Sequence, residues 1–226
     1  VVEAYLSDVL NTYLDAVESG LGEGTELLVS SSSGGLSKRS EYRAIDSLLS
    51  GPADGVVGAA AVARSAGLEK FINLDMGGTS SDVSRYSRSF AYQSSHSVGD
   101  ARVANIALRI ETMAAGGGSI CRIENGLLRV GPESAGAYPG PACYGFGGPF
   151  CLTDVNLLLG RLDPSRFSTP VVESAARACL DELVKESGRS ADDLLHGFLA
   201  VADDVMANAI RKVSVAEGYD PSDHAL

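Results

Sequence analysis

The feature that most constrains the fold is a polar, glycine-bearing segment set between two short apolar runs. Residues 71–86 read FINLDMGGTSSDVSRY, with Asp75 and Asp82 on either side of the glycines and hydroxyl residues. Apolar runs separated by a glycine-rich turn are typical of a β-hairpin. A two-residue turn would be enough to join two strands. We therefore predict that the longer segment 77–81 does more than connect them.

The chemistry of this segment favours an anion such as phosphate. Backbone N–H groups of a tight turn can converge on one phosphate, and glycine allows the backbone angles that such a turn needs. Hydroxyl groups add donors, while aspartates can accept N–H bonds or hold Mg²⁺ through water. A hairpin that binds no ligand is the alternative, because glycine-rich turns are common. The predicted phosphate-binding residues are Asp75, Gly77, Gly78, Thr79, Ser80 and Asp82, with Asp75 as the candidate Mg²⁺ residue.

Other common phosphate motifs are missing from the sequence. It contains neither a Gly-Lys-Ser/Thr triplet nor a G-x-G-x-x-G segment after a predicted strand, so a Walker A loop and a dinucleotide-binding fingerprint are both excluded. A phosphate turn on a hairpin is instead typical of actin-like ATPases, in which two lobes each present one such hairpin to the nucleotide.

Charge and hydropathy exclude several classes of partner. The 226 residues carry 18 basic and 29 acidic side chains, which gives a net charge of −11. Such a surface repels nucleic-acid phosphates and anionic lipid, so we expect neither nucleic acid nor a membrane as a partner. Mean hydropathy is +0.08, and no apolar run approaches the roughly 18 residues that span a bilayer.

Cysteine and histidine usage indicates no metal site built by this chain alone. The four cysteines match no zinc spacing and no C-x-x-C pair, and the three histidines are scattered. Reduced thiols are the usual state in the cytosol, and the N-terminal segment has acids where a signal peptide carries basic residues. We therefore expect a cytoplasmic protein.

Local patterns predict helices and strands, then a β-rich middle, then helices. Asn125-Gly126 predicts a tight hairpin turn, and Ser190 with Asp193 predicts the start of a long amphipathic helix. Ser50 is predicted to cap the helix over 50–67, and Thr153 or Asp154 the helix over 153–162. The helix over 171–186 is predicted to end before Gly188. Residues 114–150 are dense in glycine and proline, with interleaved aromatic residues that favour an ordered loop. The predicted elements are a helix over 1–20, a strand and loop over 26–36, a helix over 50–67, a hairpin over 71–86, strands over 89–130, and helices over 153–162, 171–186 and 190–215.

Five segments carry a resemblance to a known family. They are LLSGPADGVVGAAAVARSAG, LDMGGTSSDVSRY, MAAGGGSI, VGPESAGAYPGPACYGFGGP and TDVNLLLGRLDPSRF, in this order along the chain. On these segments, and on AIRKVSVAEGYDP, which resembles the family's next segment, the chain resembles the hydantoinase A/5-oxoprolinase family from about residue 27 to residue 224. The run from Val130 to Pro164 is the most specific part of the match.

The resemblance implies an α/β fold of the acetate and sugar kinase/Hsp70/actin type. The chain would supply part of that actin-like ATPase fold, as a mixed sheet with covering helices and a β-rich, Gly-Pro-rich loop insertion. Residues 1–68 would end the first lobe and supply an inter-lobe helix. Residues 69–226 would begin the second lobe, with the phosphate hairpin, the loop insertion and the C-terminal helices.

The resemblance also implies a function. Such a protein uses ATP and Mg²⁺ to phosphorylate the amide oxygen of a cyclic amide, 5-oxoproline or a hydantoin, after which water opens the ring. Ketone carboxylases use similar ATP-binding subunits, so a carboxylase subunit is one alternative. A non-catalytic actin-like regulatory module is another. The catalytic residues are unknown at this point.

Further residues and partners follow from the same resemblance. Gly116, Gly117, Gly118 and Ser119, together with Glu133, form a possible nucleotide or substrate loop, unless they are a strand corner and a local cap. Family members carry a first D-x-G-G-T hairpin and an adenosine segment that these residues lack. We expect the central fragment of a longer large subunit, inactive alone, that forms an oligomer and works with a hydrolase subunit or fused half.

Overall fold

The computed structural model of the protein describes residues 1–98, 101–167 and 170–226. Its contacts divide the chain into two units, each containing helices and strands. Unit 1 comprises Val1–Asn73, Ser84–Ile110 and Asp220–Leu226, and unit 2 comprises Leu74–Val83 and Glu111–Tyr219. The predicted α/β class is confirmed. The assignment of residues 1–68 and 69–226 to two lobes of a larger fold stays a prediction.

The helices and strands follow the predicted order. The helices are α1 (Val2–Ser19), α2 (Ser50–Ser65), α3 (Leu152–Leu158), α4 (Glu173–Ser187) and α5 (Ala191–Val213). The strands are β1 (Leu28–Ser30), β2 (Leu36–Lys38), β3 (Lys70–Met76), β4 (Ser81–Ser87), β5 (Tyr92–Gln93), β6 (His96–Val98), β7 (Ala101–Val103), β8 (Ala107–Leu108), β9 (Ile110–Met113), β10 (Ser119–Glu124) and β11 (Leu127–Ser134). Residues 99 and 100, in the predicted β-rich region, lie outside the described residues. In the described part of the chain, no helix is both long enough and apolar enough to cross a membrane.

Strand pairing is dominated by short antiparallel pairs. β1 pairs with β2, β5 with β8, β6 with β7 and β10 with β11, each pair antiparallel. Strands β3, β4 and β9 form a three-stranded sheet in the order β3-β4-β9. The hairpin predicted over 71–86 is therefore confirmed as β3 and β4, and its two strands supply residues to both units.

The core of unit 1 is built on the small residues of α2. One face of this helix buries Ala53 and Val56 against Leu108. One turn further along, its alanines cover Phe71 and Tyr86, whose rings stack with centroids 5.0 Å apart. Alanine adds little bulk, so the helix can lie close to the strands and exclude water from the aromatic rings.

Helix α1 forms as its periodicity predicts, but most of its apolar residues are not buried. Tyr5, Val9 and Tyr13 are 82%, 75% and 64% exposed, and Leu14 is the buried residue of the helix. A period of three to four residues therefore predicts this helix correctly. It does not predict which residues of the helix pack within the described chain.

Unit 2 is organised around a hairpin and a long helix. β10 and β11 are joined by Asn125 and Gly126, whose φ angles of 52° and 76° confirm the predicted tight turn. Helix α5 lies so close to this hairpin that a methyl group on Gly197 would be 2.4 Å from Cδ1 of Leu128. Phe198, the next residue of α5, is fully buried in the core of this unit.

Two helix ends confirm their sequence signals. Ser190 accepts a hydrogen bond from the Asp193 N–H at 3.1 Å and begins α5. Gly188 follows α4 with a φ of 68°, the left-handed conformation that favours glycine after a helix. Both signals act within one turn of the helix, which is why sequence alone can locate them.

Two other helix starts differ from their prediction by one to three residues. Ser50 is predicted to cap α2, but it is the first helical residue, and Leu49 precedes it with a φ of 62°. Thr153 or Asp154 is predicted to cap α3, but the capping position belongs to Cys151. The carboxylate of Asp154 accepts the Cys151 N–H at 2.8 Å, so it stabilises the helix start from inside the first turn.

Candidate functional site

The turn between β3 and β4 presents unpaired backbone donors. Gly77 donates its N–H to the carbonyl of Ser80 at 2.9 Å and closes the turn. Among the described residues, the N–H groups of Gly78, Thr79 and Ser80 find no intramolecular acceptor. Gly78 and Thr79 are also exposed. Three successive N–H groups are therefore available to an anion at this turn.

A second glycine segment packs directly on the turn. The N–H of Gly117 bonds to the carbonyl of Gly77 at 3.0 Å, and the N–H of Gly118 bonds to that of Gly78 at 2.6 Å. A methyl group on Gly116 would lie 2.7 Å from the Gly77 carbonyl oxygen and 2.8 Å from the carbonyl carbon of Thr79. No other residue fits at such a distance. The structure thus brings together the two glycine segments that the sequence singled out.

Hydroxyl groups around the two segments are mostly engaged in holding them. Ser81 donates to the carbonyl of Ala115 at 2.5 Å, and Ser119 accepts the Gly116 N–H at 2.8 Å. These two serines are buried and fix the backbone. Thr79 lies on the turn itself, and its hydroxyl accepts from Ser134 at 3.3 Å.

The two aspartates of the hairpin have different surroundings. Asp75 is exposed at the end of β3 and has neither a hydrogen bond nor an ion pair within the described residues. Asp82 is half-buried on β4 and accepts the Thr112 hydroxyl at 2.6 Å, which joins β4 to β9. Asp75 can therefore bind a water-bound cation, whereas Asp82 anchors the hairpin.

Glu133 is held by a neighbouring cation. Its carboxylate lies 2.5 Å from Nη1 of Arg122, which also donates to the carbonyl of Gly131 at 3.1 Å. The backbone N–H of Glu133 and then the Arg122 guanidinium lower the pKa of the carboxyl. Among the contacts of the described residues, none joins this carboxylate to the two glycine segments. Glu133 therefore contributes to the hairpin of β10 and β11.

Asp154 organises the glycine- and proline-rich loop, a role that the sequence analysis does not assign. The carboxylate is fully buried and accepts the N–H groups of Ala142 (3.1 Å), Cys143 (2.8 Å) and Cys151 (2.8 Å). Burial raises the pKa of this carboxyl, while the hydrogen bonds oppose the shift. Its spacing from Cys151 signals a helix cap, but its reach to Ala142 depends on the tertiary fold.

The start of α3 is also bonded to the second glycine segment. The carbonyl of Gly117 accepts both the N–H and the hydroxyl of Thr153, each at 2.8 Å. The turn Gly77–Ser80 (the phosphate-type turn), the segment Gly116–Gly118 and α3 therefore form one hydrogen-bonded assembly within unit 2.

Cysteines near this helix are not candidate nucleophiles, because burial raises the pKa of Cys121 and raises that of Cys151 to about 12.

These features define a class of protein. It is an α/β protein with a hairpin turn whose N–H groups at residues 78–80 have no acceptor among the residues described. Glycines of the segment 116–118 pack against this turn, and the nearby carboxylate of Asp75 has no partner among the same residues. Within the described residues no group of three or more histidine, cysteine or acidic side chains could hold a metal. Backbone N–H groups arranged in this way can bind an anion.

The chain belongs to the hydantoinase/oxoprolinase family, whose model matches residues 1–226. It is similar to the 5-oxoprolinase PfmaA of Pestalotiopsis fici, with 40% identity over an alignment of 242 positions. The alignment covers 99% of this chain and 19% of that relative. The resemblance inferred from the five sequence segments is therefore confirmed.

Two solved structures share the fold. The ATP-dependent caprolactamase from Pseudomonas jessenii superposes with a TM-score of 0.81 at 32% identity, over 98% of this chain and 34% of the caprolactamase chain. Nucleotide-free acetone carboxylase superposes with a TM-score of 0.79, over 97% of this chain and 31% of the carboxylase chain. Because its identity is 22%, that second likeness shows the fold alone. The chain thus spans a minor share of the relatives it matches.

Proposed function

We propose that this chain supplies a phosphate-binding turn to an ATP-dependent enzyme that opens a cyclic amide. The observation that carries the proposal is the set of N–H groups at Gly78, Thr79 and Ser80, which have no acceptor in the described part of the chain and belong to a turn packed on the segment Gly116–Gly118. Free N–H groups in a turn suit the phosphates of ATP, and the net charge of −11 leaves backbone donors as the natural phosphate ligands.

The similarity to a 5-oxoprolinase and to an ATP-dependent caprolactamase supports a cyclic amide as the phosphoryl acceptor. In the proposed reaction the amide oxygen attacks the γ-phosphorus, and the bond from that phosphorus to ADP breaks. Water adds to the activated carbon, the ring C–N bond breaks as nitrogen takes up a proton, and an acyl phosphate forms. A second water releases phosphate and leaves the carboxylate. No residue of this chain is assigned as the catalytic base.

Mg²⁺ fits the residues that are present. This ion is commonly held by one or two carboxylates together with the phosphates of the substrate, and Asp75 is exposed and unpaired within the described residues. Asp75 would hold it through water. When bound, the ion would neutralise charge that develops on the transferred phosphoryl group.

Several wider features belong to the same proposal. We place the chain in an actin-like ATPase fold, with residues 1–68 and 69–226 in successive lobes of a longer cytoplasmic protein. A relative from Pseudomonas jessenii is named caprolactamase subunit alpha, and that name supports an assembly with a hydrolase subunit or half. A ketone carboxylase subunit is the second candidate, because the family that the sequence resembles is related to such subunits; the likeness to acetone carboxylase adds only the shared fold.

The test uses two alanine substitutions in the full-length protein. In Gly78→Ala the new methyl group meets no atom within 4 Å, so the fold accepts it, but it occupies the space beside the free N–H groups. A hydrogen bond to a charged group contributes about 1.5–3 kcal/mol, so ATP affinity measured by calorimetry should fall about 10- to 150-fold. Gly58→Ala is the matched control, because Gly58 is exposed on α2 with equally open space.

Activity is then measured as ATP-dependent ring opening of 5-oxoproline, a hydantoin and caprolactam, with a ketone plus bicarbonate in parallel. Loss of ATP affinity in Gly78→Ala but not in Gly58→Ala supports the phosphate turn. Equal affinity in both variants would refute it. If the protein turns over the ketone and none of the cyclic amides, the result supports the carboxylase function and rejects the amide hydrolase function.

A further inference from the structure

The glycine- and proline-rich loop exposes a pair of aromatic rings. Tyr138 and Phe146 are 79% and 55% exposed, and their ring centroids are 5.6 Å apart. Phe146 lies between Gly145 and Gly147, which have φ angles of 78° and 77°. Glycines on both sides leave the phenyl ring without neighbouring side chains along the chain. Two adjoining exposed aromatic rings are a typical mark of a binding surface.

A short series of hydrogen bonds connects this pair to the phosphate-type turn. The N–H of Ala135 bonds to the carbonyl of Gly118 at 2.9 Å, and Gly118 in turn bonds to Gly78. The Ser134 hydroxyl donates to Thr79 at 3.3 Å. Three residues span at most about 11 Å, so the backbone of Tyr138 lies within that distance of Ala135. The segment that carries Tyr138 is thus connected through Gly118 to the turn, and the aromatic pair belongs to the same unit.

The loop that carries the pair is rigidly supported. The N–H of Gly140 bonds to the carbonyl of Ala135 at 3.2 Å and closes the segment that contains Tyr138. A methyl group on Gly140 would be 2.5 Å from Cδ2 of Tyr144, so the backbone there is tightly packed. Asp154 holds the following residues from the protein interior. The backbone that carries the two rings is therefore held by hydrogen bonds and by close packing.

We propose that Tyr138 and Phe146 form the apolar wall against which the ring of the cyclic amide packs while its oxygen faces the γ-phosphate. This inference rests on the proposed function. The phosphoryl acceptor must lie beside the terminal phosphate, next to the turn, whereas the adenine ring is separated from that phosphate by the rest of the nucleotide. A lactam ring has apolar faces and a polar edge, and aromatic rings bind such faces well. The pair would therefore select among rings by size.

The experiment compares Tyr138→Ala, Phe146→Ala and Tyr138→Phe in the full-length protein. Tyr92→Ala is the matched control, because Tyr92 is a 54% exposed aromatic residue in unit 1. Steady-state kinetics are measured with five-, six- and seven-membered cyclic amides, and ATP affinity is measured separately. An aromatic contact of about 0.5–1.5 kcal/mol corresponds to a rise in KM for the amide of about 2- to 13-fold.

The expected result is a higher amide KM in both alanine variants, a reduced preference among ring sizes, and ATP affinity unchanged. Tyr138→Phe keeps the aromatic ring, so it should raise the amide KM less than Tyr138→Ala does. Tyr92→Ala should behave as the wild type. A loss of ATP affinity would overturn the inference in favour of adenine stacking. A change of oligomeric state on gel filtration would overturn it in favour of a subunit contact, and unchanged kinetics would also reject it. If the wild type opens no cyclic amide at all, the proposed function itself fails.

Discussion

Replacing Gly116 by alanine tests whether the second glycine segment supports the phosphate-type turn. The new methyl group would lie 2.7 Å, 2.8 Å and 2.9 Å from backbone atoms of Gly77, Thr79 and Gly78. Ordinary contacts of this kind are 3.4–4 Å long, and backbone atoms cannot rotate away as the tip of a side chain can. The two segments must therefore move apart.

The cost follows from what that movement disrupts. The two hydrogen bonds from Gly117 and Gly118 to the turn contribute about 0.5–1.5 kcal/mol each. Overpacking adds about 1–3 kcal/mol. We expect a total of about 2–6 kcal/mol, confined to this part of unit 2. Since 1.4 kcal/mol is a factor of ten, the amides of Gly117 and Gly118 should exchange with solvent at least about 30 times faster.

Hydrogen–deuterium exchange of the full-length protein, read on peptides over 114–121 and 199–206, is the assay. Gly78→Ala is the control on the same turn, because its methyl group projects into open space. Exchange should accelerate over 114–121 in Gly116→Ala alone and stay constant over 199–206, which belongs to α5. If the peptide over 114–121 exchanges at the same rate in Gly116→Ala as in the wild type, the packing argument is refuted.

Two further predictions concern buried titratable groups. Asp154→Asn should lower the free energy of unfolding in urea by about 2–4 kcal/mol, because an amide oxygen cannot accept all three N–H groups. Asp181→Asn is the control, because Asp181 is exposed. Equal stability of the two variants would contradict the stabilising role of the three hydrogen bonds to Asp154. Burial lowers the pKa of His96, whose ring nitrogens have no partner among the described residues. The unfolded chain therefore binds that proton more readily, and stability should fall as pH decreases below about 6.5. His96→Gln should flatten this dependence in unfolding curves from pH 5 to 7.5, with His196→Gln as the control, and an unchanged slope would exclude His96 as its source.

Local signals in the sequence predict the parts of the fold that form locally. The Asn125-Gly126 turn, the Ser190 cap and the Gly188 helix end depend on residues within one turn of each other, and all three are confirmed. The glycine hairpin over 71–86 is confirmed for the same reason. Such features need no knowledge of distant contacts, so the chain order alone reveals them.

Tertiary contacts account for what the sequence does not reveal. The segment Gly116–Gly118 is predicted only as a possible ligand loop, and its bonds to Gly77 and Gly78 cross about forty residues of chain. The reach of Asp154 to Ala142 likewise depends on the path of the loop between them. The sequence leaves Glu133 as either a site residue or a local cap, and only the fold reveals that Arg122 on the neighbouring strand pairs with its carboxylate.

The dependence of the turn on a distant glycine segment also limits how genes of this family can recombine. The residues between the two segments, 84–110, belong to the other unit of the chain. A single crossover between two parental genes within that stretch would take Gly77 from one parent and Gly116 from the other. Viable chimeras should therefore be those whose two parents agree on the backbone shape at both places, whatever their divergence elsewhere.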